Sequence, residues 1–134
     1  MTIVIDANVF YAYKNSRDGH HNKALNIMTE IFEGRYGEPI ILDYVFDEIV
    51  SVTMRKLGKT NAVDIGNEIL NLDININEID DISFYEAWQL FKKNNKFNFT
   101  DCTIVAFMKI FGINQIATFD KEFNKVKDFE IISS

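Results

Sequence analysis

Four carboxylates are placed where they could act together. Asp6 directly follows the apolar run TIVI at residues 2–5, and Asp120 stands two residues past the apolar stretch 115–118, within ATFDKEF. Asp101 begins a helical row that Ile104, Val105 and Met108 continue at i+3, i+4 and i+7, so it leans towards the core. A fourth acid lies in DYVFDEIV, where Asp47 and Glu48 fall on opposite margins of the stripe carrying Phe46 and Ile49. Periodicity leaves that choice open. Taken singly, Asp6 and Asp120 read as helix N-caps, and Thr100 competes with Asp101 for the same capping duty. Taken together, four acids on one edge would repel one another unless cations lay between them. Hard divalent ions such as Mg²⁺ or Mn²⁺ take oxygen ligands and complete their charge balance with substrate phosphates, which points to phosphodiester chemistry.

The elements that must position these acids alternate. Short β-branched runs predict strands over 2–5, 39–42, 73–76, 115–118 and 129–132. Between them, apolar residues at helical spacing predict helices from Ala7 onward and over 20–32, 44–57, 61–72, 82–93 and 101–111. Gly34, Gly58 and Gly112 mark helix ends. This rhythm implies an α/β fold with a parallel sheet, because parallel strands need crossover helices. Ligands of such sheets bind beyond the carboxyl ends of the strands, where Asp6 and Asp120 fall. No repeat or linker interrupts the pattern, so a single domain over 1–134 is expected.

The composition removes other classes. With 134 residues, 47% hydrophobic, one Pro and six Gly, collagen-like and low-complexity structure is excluded. The lone Cys102 can form no disulfide within the chain and reads as a small buried residue, and no Cys/His cluster has zinc-ligand spacing. The opening MTIVIDANVF has no basic leader, and no apolar run reaches membrane length, so a cytoplasmic location without membrane contact is expected. The net charge of −6 opposes general nucleic-acid binding, so a nucleic-acid partner needs a local basic patch or bound cations. Lys92, Lys93 and Lys96 form a dense basic run and are the candidate phosphate contacts. His20 and His21 read as solvated residues at a helix start. Most aromatic side chains read as core or dimer interface, with Tyr11 and Tyr13 as the exceptions that could meet substrate.

Four segments, IVIDANVF with Asp6, ILDYVFDEIV with Glu48, FTDCTIVAFMK with Asp101 and IATFDKEF with Asp120, resemble in order and spacing those of PIN-domain ribonucleases. The chain is most similar to the small stand-alone members that serve as toxins in VapBC-type toxin and antitoxin pairs. Asp18, His21 and Ala24 also match a D-x-x-H-x-x-A pattern of that family. The resemblance implies a three-layer α/β/α sandwich around a parallel sheet of four to five strands, and Mg²⁺- or Mn²⁺-dependent cleavage of RNA. It assigns metal binding and catalysis to Asp6, Glu48, Asp101 and Asp120, thereby selecting Glu48 over Asp47, with Asn8 and Thr118 in support. It further implies a homodimer and a small antitoxin partner. An RNA-processing nuclease without antitoxin is the alternative. A phosphoacceptor or phosphatase fits less well, since Asp6 lacks the D-x-D partner such phosphatases use, and a non-catalytic scaffold leaves four acids without a purpose.

Overall fold

In the computed structural model, which describes residues 1–94 and 96–133, the run after Met1 becomes the central strand β1 (Thr2–Ile5). Ile3, Val4 and Ile5 are fully buried, as expected of a strand covered on both faces. β1 pairs in parallel with β2 (Glu38–Leu42) on one side and β4 (Gln115–Ala117) on the other. β3 (Asn75–Asn77) and β5 (Glu130–Ile132) complete a five-stranded, all-parallel sheet in the order β3-β2-β1-β4-β5.

Among the described residues, six helices flank the sheet. α1 (Ala7–Lys14) and α2 (His21–Phe32) connect β1 to β2, α3 (Asp43–Leu57) and α4 (Lys59–Asn71) connect β2 to β3, and α5 (Asp81–Lys93) and α6 (Phe99–Phe111) connect β3 to β4. Right-handed crossovers put the helices that follow β1 and β2 on one face and those that follow β3 on the other, giving the expected α/β/α layering. Strand order reverses at β1, so a crevice opens beyond the carboxyl ends of β1 and β4.

α6 is the apolar centrepiece: every residue from Cys102 to Met108 is buried, including the small Cys102. Gly112 ends it in the left-handed conformation (φ +67°), which lets Ile113 N–H reach the Met108 carbonyl at 2.8 Å. Its start departs from the expectation. The helix begins at Phe99 rather than Asp101, and Asn98, not Thr100, is the N-cap. Asn98 Oδ1 accepts from Asp101 N–H at 2.8 Å while Asp101 Oδ2 accepts from Asn98 N–H at 3.1 Å, a reciprocal capping box that Thr100, inside the first turn, cannot make.

Other boundaries shift by one or two residues. β3 lies at 75–77 because its register is set by pairing with Ile40, Ile41 and Leu42 of β2, not by its own alternation. A 3-10 turn at Lys121–Lys125 was not apparent from periodicity. α5 ends at Lys93 as expected and starts one residue earlier, at Asp81, and Asn95 lies outside the described residues. No helix among the described residues is long and apolar enough to cross a membrane.

Candidate active site

Asp6 emerges from β1 with 4% of its surface exposed, and its two carboxylate oxygens have different duties. Oδ1 accepts from Ala7 N–H at 2.8 Å, capping α1. Oδ2 accepts from the Thr118 hydroxyl at 2.8 Å and from the Asn8 amide at a long 3.4 Å. The cap and the site are therefore one residue.

Thr118, fully buried just past β4, holds the network together. Its hydroxyl donates to Asp6 and accepts from Asn8 Nδ2 at 3.2 Å and from Asp120 N–H at 3.0 Å, which uses its one donor and both lone pairs. Asn8 returns its own Oδ1 to Phe119 N–H at 3.1 Å. Asp120 caps the 3-10 turn through Oδ1, which accepts from Glu122 N–H at 2.9 Å. Asp6, Asn8, Thr118 and Asp120 thus form one hydrogen-bonded group at the carboxyl edge of β1 and β4.

Glu48 and Asp101 approach from α3 and α6. Glu48 is half-buried, whereas Asp47 is exposed and accepts from the Ser51 hydroxyl one turn later. Burial raises the Glu48 pKa, and the Asn98 amide lies near enough to favour its charged form without reaching full hydrogen-bond geometry. Tyr11 OH donates to the Glu48 carbonyl at 3.1 Å, bracing α1 against α3. Asp101 accepts from the Asn98 N–H through Oδ2 and lies close enough to Asp6, Asp120 and Glu48 to feel their charge.

The charges register that convergence. Burial first, opposed by the Thr118 and Ala7 hydrogen bonds and reinforced by Glu48 and Asp120, raises Asp6 from 3.8 to about 6. Burial, then Asp6, with smaller contributions from Asp120 and Glu48, raises Asp101 to about 7. All four acids therefore share one electrostatic neighbourhood. Among the described residues no three of them close into a ready cation cage. The donor set nonetheless fits a hard divalent ion: it consists of carboxylate oxygens, and Asp6 and Asp101 are pushed towards protonation by burial first and by the neighbouring acids second.

The remaining sequence candidates sort differently. Lys92 and Lys93 occupy the exposed last turn of α5, where they complement the helix dipole, and Lys96 is exposed beyond it. The two histidines are not simply solvated. His21 Nδ1 is 2.7 Å from the Ala12 carbonyl, tying α2 to α1, and Asp18 and the fully buried Ala24 support the same corner. His20 stacks on Phe119. Tyr13 is half-buried against the core. Sequence reasoning missed Asn98, although N-x-x-D ahead of an apolar helix is a readable capping pattern.

The PIN domain family matches the chain over residues 3–128, and the chain belongs to that family. Its members are typically metal-dependent nucleases. Solved structures with the same fold include VapC20 of Mycobacterium tuberculosis, a toxin that cleaves the sarcin-ricin loop, which is 20% identical with a TM-score of 0.76 over 91% of this chain and 92% of that one. VapBC2 of Rickettsia felis, bound to a DNA fragment from its promoter, is 12% identical with a TM-score of 0.73 over 98% and 97%. DNA-bound VapBC of Salmonella typhimurium is 14% identical with a TM-score of 0.68 over 98% and 96%. No curated protein matches the sequence.

Proposed function

We propose that the chain is a Mg²⁺- or Mn²⁺-dependent endoribonuclease acting as one unit over residues 1–134, and the toxin of a type II toxin and antitoxin pair. The observation that carries the reading is the gathering of Asp6, Glu48, Asp101 and Asp120 at the crevice where strand order reverses, where burial first and then the neighbouring acids raise Asp6 and Asp101. Asp6, Glu48, Asp101 and Asp120 hold the ion. When bound, such an ion activates water and offsets charge on the phosphodiester oxygens. The chain's own residues prepare that site. Thr118 and Asn8 fix the Asp6 carboxylate, Asn98 and the α6 cap aim Asp101, and Tyr11 holds the segment bearing Glu48. Lys92, Lys93 and Lys96 would meet the substrate phosphates.

Support for the toxin assignment comes from the structural likeness to VapC20 and to VapBC complexes, so a small antitoxin protein is the expected partner and the cytoplasm the expected location. A homodimer is proposed through the face bearing Tyr44, Phe84, Trp88, Phe91 and Phe99, whose rings touch one another while Phe84 and Trp88 stay 45% and 47% exposed.

The test is cleavage of total cellular RNA by the purified protein in Mn²⁺, Mg²⁺ or EDTA, beside Asp101→Asn, with the new 5′ ends mapped. Metal-dependent cuts that fall by about two orders of magnitude or more in the variant are expected. Cuts that persist in EDTA or in Asp101→Asn would overturn the reading.

A further inference from the structure

Beside the carboxylate edge, the rings of His20 and Phe119 stack with centroids 4.4 Å apart and planes 9° from parallel. Phe119 lies between Thr118 and Asp120, and its backbone N–H is held by Asn8, so the ring is rooted in the hydrogen-bonded group around Asp6. His20 reaches the stack from the turn before α2. Its backbone is fixed there: its N–H donates to Asp18 Oδ1 at 2.8 Å and its carbonyl accepts from Ala24 N–H at 2.9 Å. His20 is exposed, and its imidazole makes no capping bond to the helix it precedes.

A flat π surface therefore extends outward from the residue that separates Thr118 from Asp120. The charge balance gives such a surface a task. A chain of net charge −6 gains little from phosphate contacts and counterion release, whereas stacking of a base on an aromatic face is indifferent to that charge. We propose that the His20–Phe119 pair is the stacking platform for one unpaired RNA base next to the scissile phosphate, which makes His20 a specificity-determining residue. The proposal rests on the nuclease reading above and adds to it how the substrate is gripped.

The experiment uses an RNA oligonucleotide that the wild-type protein cuts, and variants of it with a single abasic nucleotide at each position around the cut. kcat/KM in Mn²⁺ is compared for wild type, His20→Ala and His20→Phe. In wild type, one position should show a loss of about tenfold or more when its base is removed. His20→Ala should cut the intact and abasic RNAs equally slowly, and His20→Phe should restore the difference. A merely structural role for His20 would slow both RNAs alike and leave the difference intact, which would overturn the platform, as would a wild type that cuts with no penalty at any position. If His20→Ala does not fold, His20→Leu fills the space without a π face and serves the same comparison. A wild type that cuts no RNA in any metal brings down the nuclease reading and the platform with it, a pattern distinct from loss of the platform alone.

Discussion

The Thr118 hydroxyl donates a 2.8 Å hydrogen bond to Oδ2 of Asp6 across 112 residues of chain. The bond exists because β1 and β4 are neighbours in register, Ile5 opposite Ala117, so the residues that follow each strand meet at the sheet edge. One oxygen of Asp6 is spent on capping α1 and the other is held by Thr118 and Asn8. The carboxylate is thus locked in direction before any ion or substrate arrives, the kind of outer support that metal ligands depend on.

Thr118→Val should lower cleavage by about 10- to 100-fold, because outer partners of metal ligands carry losses of that size. Thr118→Ser, which keeps the hydroxyl, should recover most of it. Mn²⁺ affinity measured by calorimetry should follow the same order, whereas a purely packing role for Thr118 would leave affinity unchanged and make Ser no better than Val.

The metal-free protein should lose stability as pH rises. Asp6 and Asp101 titrate near 6 and 7 in the folded chain, above the ordinary 3.8, so the folded state binds protons more tightly than the unfolded one. That contribution is complete below about pH 4 and is lost as pH climbs through 6 and 7. Thermal unfolding in EDTA should therefore show Tm falling across this window, Mn²⁺ should restore it above pH 7, and Asp101→Asn should flatten the slope. A pH-independent Tm difference between wild type and Asp101→Asn would contradict the shared-charge account.

Gly37→Ala should destabilise the fold by about 1–3 kcal/mol from backbone strain alone. Gly37 has φ +85°, and an added Cβ would collide with the Met1 carbonyl oxygen, which already accepts from Glu38 N–H at the start of the β1–β2 ladder. Denaturant titration would show a lower midpoint, and a midpoint equal to wild type would disprove the close approach.

Trp88→Glu should convert a dimer to a monomer, as read by sedimentation equilibrium. Trp88 is 47% exposed among Phe84, Phe91 and Phe99, so a charge there penalises association more than folding. A wild type that sediments as a monomer at all concentrations would remove this interface.

Much of the scaffold was legible in the residues themselves. The alternation of β-branched runs with apolar helical stripes identifies an α/β chain with a parallel sheet, since periods of 2 and 3.6 are written locally. Asp6 and Asp120 could be assigned to the carboxyl edge because each follows a strand in sequence. The rest depended on partners far apart in the chain. Periodicity left Asp47 and Glu48 undecided and the resemblance chose Glu48, while the packing of α3 exposes Asp47 and half-buries Glu48. Asn98, not Thr100, caps α6, and the box it forms directs Asp101. The edge strand β3 took its register from β2, and the His20–Phe119 stack joins a turn to a strand end about a hundred residues on. Local pattern determines which elements form, because propensity and burial act over a few residues. Which carboxylate oxygen is spent, which acid leans on which, and which rings meet is decided by tertiary contact, because those energies exist only after distant segments are brought together.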